Sequence, residues 1–410
     1  MKKVELLAPA GNMECFETAL RFGADAIYLA GKKFGLRAFA DNFTEEDIVN
    51  VVKRAHELGK KVYVTVNSLM HNDQLDSLPG YIRFLKEAGV DAAIVSDPAV
   101  IMLCREIGLE LHISTQMSTM NYSSAHFWYN NGAKRVVLGR EASLDEIKEI
   151  IRNIPEDLEI ETFVHGAMCV AYSGRCFLSA VLTGRSGNEG SCAQPCRWKY
   201  ALYERQDHPG EYFPIEQEGH ESFILNSKDM MLLDHLPELI ESGIASFKVE
   251  GRMKSIYYVA TVVNSYRRAI DEYYKDPANY HLDERLLTDV KDSATRGFTT
   301  GFYFDHGDDS LDNERARIER NFLFCGIVTE ERDSEGYVTV EQRNKFCIGD
   351  TLNILAPDDL YGEEFTVTSI KDMEGLDRES APHPQEKVKL YCPFEIKKDT
   401  LLRIRLKKEE

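Results

Sequence analysis

The chain has no apolar run approaching the roughly 20 residues needed to cross a bilayer, so no membrane span is expected. It has no H-E-x-x-H pair, the helix-borne signature of many zinc proteases. No G-x-G-x-x-G turn follows the first strand-like segment, which weakens the reading as an open dinucleotide-binding sheet. The paired C-x2-C knuckles of zinc ribbons are also missing. Cationic residues are in short supply: 49 Lys and Arg face 68 Asp and Glu, a formal charge of −19. That balance argues against a protein that coats nucleic acid non-specifically, because phosphate binding needs a cationic surface.

Cysteine, by contrast, is concentrated. Cys169, Cys176, Cys192 and Cys196 fall within 28 residues, out of nine cysteines in the chain. Thiolates are soft ligands, and four converging on one point suit an iron–sulfur cluster or a structural zinc ion. The intervals of 6, 15 and 3 residues favour iron–sulfur. The other five, Cys15, Cys104, Cys325, Cys347 and Cys392, lie in apolar contexts and read as buried small hydrophobes. An odd cysteine count in a large chain fits a reducing compartment. Met1-Lys2-Lys3-Val4-Glu5 begins like a signal peptide but meets a carboxylate and no sustained apolar region, so a cytoplasmic protein is expected.

The first 165 residues alternate β-branched runs with amphipathic segments. Candidate strands are Val4–Ala8, Asp25–Ala30, Lys61–Val66, Ala92–Ser96, Glu110–Ser114, Arg135–Gly139 and Glu159–His165, followed by Phe223–Ser227 and Ser246–Glu250. Thr44 and Ser143 each precede an acid by three residues, a capping-box signal, and Gly59, Gly89 and Gly108 stand where helices should stop. Strand–helix units of about 30 residues imply parallel strands with right-handed crossovers. Nine candidates exceed the eight of a (βα)-barrel of the TIM type, and Phe223–Ser227 reads as accessory because it follows an irregular, cysteine-rich insertion over 167–222. An open doubly wound sheet is the alternative. The barrel should occupy residues 1–300 and a linker 301–321. From 322 to 410 short strands separated by turns indicate a small all-β domain, expected to be a barrel.

Active sites of such barrels lie just past the strands' C-terminal ends. That rule selects Asn67, Gln116, Arg140, Glu141, His165, Asn226, Lys228, Glu250, Arg252 and Lys254. Glu250-Gly251-Arg252-Met253-Lys254 puts a carboxylate and two cations on one turn, able to orient a polar substrate or hold an anion; a salt-bridged surface loop would look the same. His165 could be a general base, a donor to a cluster sulfur, or a satisfied core histidine. Eight basic residues between Lys387 and Lys408, Lys397 and Lys398 among them, could meet an RNA backbone or simply form solvated strand faces.

Several long motifs occur in order: Glu5-Leu-Leu-Ala-Pro-Ala-Gly11-Asn, Glu161-x-Phe163-x-x-Gly166-Ala-Met-Cys169, Ser173-Gly174-x-Cys176-x-x-Ser179, Cys192-x-x-Pro-Cys196-Arg-Trp, Lys248-x-Glu250-Gly-Arg252-Met-Lys254 and Arg296-Gly-Phe-x-x-Gly301-Phe. Over essentially its whole length the chain resembles the U-thirty-two peptidase family, the collagenase-like proteases of unknown catalytic type. Members of that family act in tRNA hydroxylation. The resemblance implies conversion of the wobble uridine of tRNA to 5-hydroxyuridine, with prephenate as a required metabolite and an iron–sulfur cluster, of the 4Fe-4S type, on the cysteines. Prephenate is a dicarboxylate, so cations such as Arg140, Arg252 or Lys254 would have to hold it. The family name implies a peptidase instead, but four cysteines saturated as ligands make poor nucleophiles. A third reading is a non-catalytic, metal-dependent RNA-binding scaffold. Assembly as a homo-oligomer or with a paralogue is compatible with all three.

Overall fold

The computed structural model describes residues 3–36, 41–169, 171–198, 203–204, 213–214, 227–294, 296–304 and 320–406. Eight parallel strands close a barrel: β1 (Glu5–Pro9), β2 (Ala26–Ala30), β3 (Lys61–Val66), β4 (Ala92–Val95), β5 (Leu111–Ile113), β6 (Ala133–Val137), β7 (Glu159–Ala167) and β8 (Ser246–Val249), with β8 paired to both β7 and β1. Six helices follow the first six strands: α1 (Met13–Arg21), α2 (Glu45–Glu57), α3 (Leu78–Glu87), α4 (Pro98–Ile107), α5 (Tyr122–Asn130) and α6 (Leu144–Arg152). Thr44 and Ser143 close the capping boxes that start α2 and α6, each accepting from the backbone N–H three residues on. Closure of the sheet rules out the doubly wound alternative.

A small α7 (Leu178–Thr183) lies in the cysteine-rich insertion, and α8 (Leu236–Glu241) leads into β8. Asp229–Met231 runs antiparallel along β7, with Phe298–Thr299 beside it. This is the accessory strand, later than Phe223–Ser227; residues 223–226, like Asn226 itself and 215–222, lie outside the described residues. The long α9 (Ile256–Lys275) packs on β1 and α1, and α10 (Glu284–Ser293) lies against it.

Inside the barrel a small apolar cluster of Leu7, Ala26, Tyr28, Tyr63, Ala92 and Ile94 is separate from the larger core between strands and helices. Charged side chains fill the rest. Arg135 donates to Glu5 (2.6 Å), Glu159 (2.6 Å) and Glu161 (3.0 Å), and Lys248 donates to Glu161 at 2.7 Å. Burial alone would raise the Glu161 carboxyl, but Lys248 and Arg135 outweigh it and hold the group at about 2.

From Phe322 onward the chain forms an eight-stranded antiparallel sheet, in the order Glu364–Thr366, Thr351–Leu355, Leu401–Arg405, Phe322–Glu330, Tyr337–Gln342, Lys387–Tyr391, Ile370–Lys371, Asp377–Arg378. The sequence suggests a barrel here; among the described residues no pairing joins the two edges of this sheet. Most of its core is its own, but Ile327, Leu355, Tyr361 and Leu401 join the core of the first unit, and charged contacts clamp the two together. Arg403, 1 % exposed, pairs with Asp289 of α10 at 2.8 Å, and Tyr361 donates to the same carboxylate at 2.7 Å. Tyr257 of α9 stacks on Phe324 with centroids 5.3 Å apart. Asp292 accepts from the backbone N–H groups of Asn321 and Phe322. Arg403 therefore leaves the set of basic residues that could meet RNA, because a buried guanidinium committed to Asp289 and Asn353 has no face for a phosphate. Among the described residues no helix is long and apolar enough to cross a membrane.

Candidate functional site

One pocket opens at the C-terminal mouth of the barrel. Asn67 reaches it from β3, Gln116 from β5, Arg140 from β6, and Glu250 and Arg252 from the turn after β8. The lobe that follows β7 adds Cys169, Cys176, Cys192 and Cys196. Tyr28, Ile94, Val137 and Phe163 supply apolar wall, and Lys248 is also part of the lining.

Two glycines let the charged turn settle against the barrel. A Cβ on Gly11 would stand 2.0 Å from the Arg252 carbonyl oxygen, and one on Gly166 would stand 2.4 Å from that of Glu250, where φ is +105°. Only glycine permits both approaches. The Glu250 backbone N–H then donates to the His165 carbonyl at 2.9 Å, and the Tyr258 hydroxyl donates to the Glu250 carbonyl at 2.8 Å. So fixed, the Glu250 carboxylate meets Arg140 at 3.2 Å, while the Arg140 guanidinium lies 3.8 Å from the Phe163 ring centroid. Arg252 is buried, with its guanidinium 3.5 Å from the Thr65 hydroxyl. On the opposite side Asn67 accepts from the Leu36 N–H (3.2 Å), and the Ser114 hydroxyl donates to the Gln116 side-chain oxygen (3.2 Å). Glu141 is half-buried, and that burial raises its carboxyl above the usual range.

The cysteine lobe rests on this rim. Gly174, at φ +74°, lies over the Gln116 side chain, and Ser179 accepts from the Ala193 N–H at 2.9 Å to tie the two halves of the lobe. The Gln194 N–H donates to the Cys192 sulfur at 3.3 Å. Cys169 is exposed and the other three are partly buried. Burial pushes the Cys196 thiol up; Cys169, Cys192 and Cys176 act on it electrostatically in the same direction. Among the described residues no three His, Cys, Asp or Glu side chains are gathered tightly enough for one metal ion.

His165 and Lys254 are placed elsewhere. His165, 1 % exposed, is boxed by the rings of Tyr258, Tyr266 and Phe298 and is not part of the pocket lining. Burial, with Lys254 adding to it, lowers its pKa to about 3, so it is neutral at pH 7. Lys254 lies behind the turn, 3.8 Å from Asp229, which Arg296 also approaches at 3.3 Å. Lys397 and Lys398 are remote from the mouth. They border a groove along α1, where the Lys398 carbonyl accepts from Arg21 at that helix's last residue. Helices of such a barrel run away from the mouth, so Arg21 marks its far end. Lys387 stands exposed on its strand, while Lys407 and Lys408 lie outside the described residues.

Sequence reasoning passed over Lys248, Tyr28 and Phe163 as site residues. Their signal was alternation: in β8, Phe247 and Val249 enter the outer core while Ser246 and Lys248 face the lumen.

Residues 11–313 match the model of peptidase family U32, and residues 320–403 match that of the peptidase family U32 C-terminal domain. Tyrosine, cysteine and glycine positions of the mouth all fall inside the first match. A relative from Bacillus subtilis named tRNA hydroxylation protein P1 is 40% identical, over 98% of this chain and 95% of its own length. The tRNA hydroxylation protein P of Escherichia coli is 35% identical over 99% and 97%. An uncharacterized protease of Methanocaldococcus jannaschii is 43% identical over 74% of each chain. The chain belongs to the U32 peptidase family.

Proposed function

We propose that the chain is a tRNA-modifying enzyme that hydroxylates the wobble uridine to 5-hydroxyuridine, with prephenate as co-substrate and an iron–sulfur cluster on Cys169, Cys176, Cys192 and Cys196. The observation that carries this reading is the single pocket in which four thiols face the polar rim of Asn67, Gln116, Arg140, Glu250 and Arg252. Full-length relatives named for tRNA hydroxylation support the substrate class. The four thiols line one pocket, and soft thiolates suit the irons of such a cluster. When bound, the cluster would supply one-electron chemistry at the pocket wall.

The chain's own residues bind and orient. A uridine turned out of its stack enters the mouth and lies against Tyr28 and Phe163. The Asn67 and Gln116 amides offer donors and acceptors to its edge, and Arg140 and Arg252 offer charge to carboxylates of the co-substrate.

The peptidase reading needs one activated thiolate beside a histidine base. Among the described residues no cysteine is hydrogen-bonded to a histidine, and His165 sits under α9 rather than at the mouth. Mass spectrometry of tRNA nucleosides from a deletion strain should show loss of 5-hydroxyuridine and its derivatives, restored by the wild-type gene. Alanine at any of the four cysteines should bleach anaerobically purified protein and lower its iron content. An unaltered nucleoside profile, with no redundant paralogue, rules out the hydroxylase; stoichiometric zinc without sulfide rules out the cluster.

A further inference from the structure

We infer that Lys248 touches the substrate: its side chain donates a hydrogen bond to a carbonyl oxygen of the planar ring that occupies the mouth pocket. This rests on the pocket being the place where a pyrimidine is modified, as proposed above.

The strand register sets the position. Lys248 is the third residue of β8 and points into the lumen, 4 % exposed, where it helps line the pocket. An ammonium carries three N–H donors. One goes to Glu161 at 2.7 Å. Among the described residues no second acceptor meets the other two; the group instead lies 4.5 Å from the Tyr28 ring centroid and 5.6 Å from that of Phe163. Both rings are part of the pocket wall. A flat ring lying against them would bring a carbonyl oxygen within reach of the spare donors.

A purely structural duty does not explain the residue. Glu161 already has Arg135 as a partner at 3.0 Å, and a buried lysine serving only as a second counterion costs desolvation that an apolar side chain avoids. As a donor to substrate the same group has a use. A preplaced N–H beside a ring carbonyl oxygen fixes the ring in the pocket and stabilises negative charge wherever the reaction brings it onto that oxygen. Loss of one such donor typically lowers turnover by about 10²–10³-fold.

The test compares two variants in the full chain, assayed by tRNA nucleoside analysis in the complemented deletion strain and by tRNA gel shift and iron content on purified holoprotein. Lys248→Met removes the donors. Lys248→Met/Glu161→Gln removes them while also relieving the carboxylate left with one partner. The expected result is at least a tenfold fall in 5-hydroxyuridine for both, with tRNA binding and iron content within twofold of wild type. Recovery of product in the double variant would overturn the inference, because it would make Lys248 a counterion for Glu161 alone. Full activity of Lys248→Met would overturn it equally. If the wild-type gene itself restores no 5-hydroxyuridine, the proposed function fails first and the inference falls with it.

Discussion

A histidine four residues before a cysteine cluster invites a catalytic role, yet the surroundings of His165 decide otherwise. Its ring is enclosed by Tyr258, Tyr266 and Phe298, and burial lowers its pKa from 6.5 to about 3. The folded-state value lies below the unfolded one, so the associated stability is complete above about pH 6.5 and is lost as pH falls towards 3. The slope is up to about 1.4 kcal/mol per pH unit. Glu161, held at about 2 against an ordinary 4.5, adds a second loss of the same sign that begins only below 4.5. His165→Phe should therefore flatten the urea midpoint between pH 6.5 and 4.5 and leave tRNA hydroxylation in place. Equal slopes for variant and wild type across that window would contradict the assignment. Gly11 makes the complementary case, a residue without chemistry on which the site depends. Gly11→Ala must displace the Arg252 carbonyl, and hydroxylated tRNA should fall at least tenfold in nucleoside analysis. Gly80→Ala, on an open face of α3, should leave product unchanged and stabilise by up to about 1 kcal/mol.

Elements were legible where local rules govern them. Helix starts at Thr44 and Ser143 follow from hydroxyl–acid spacing, and all eight barrel strands follow from short apolar runs between helical patterns. The charged turn and the cysteines were legible because polar and thiol residues gather after strand ends, where this architecture puts its mouth. Lys248 was not, for a physical reason. A strand covered on both faces has no wet side, so alternation in Ser246-Phe247-Lys248-Val249 does not say which face is lumen until neighbouring strands fix the tilt and register. For His165 the core alternative is the one the structure shows, because the β7–β8 register shifts between Lys248 and Val249, which pairs Val249 with His165. Past Phe322 the strands were legible as a set, but nothing in their sequence announces that Arg403, two residues from exposed Arg405, is buried against α10.

At the scale of the whole molecule, the two units are joined by buried apolar side chains, charge and aromatic contact rather than by a bare linker. Arg403→Leu leaves Asp289 with Tyr361 as its one hydrogen-bond partner among the described residues and should cost about 3–5 kcal/mol in urea unfolding, and the double variant Arg403→Leu/Asp289→Leu should cost less. A loss under 1 kcal/mol for the single variant would mean that the clamp contributes little. For the tRNA substrate proposed above, the chain's net charge of −19 repels phosphate in general, so binding has to use local cations. Lys397 and Lys398 lie by the last residue of α1, a helix of nine residues that is about 13 Å long, and so sit well down the barrel wall from the cysteines. Lys397 is largely exposed, with Asp358 only 3.9 Å from its ammonium. A tRNA that delivers one nucleotide to the mouth is large enough to lay backbone along this wall. Reversal of both charges, Lys397→Glu/Lys398→Glu, should then weaken tRNA affinity and lower the slope of log K against log salt by about 1 for each lost phosphate contact. The modified nucleotide should stay the same, since phosphate contacts position the nucleic acid without reading its bases. Unchanged affinity and slope in a salt titration would confine these lysines to the groove between the two units.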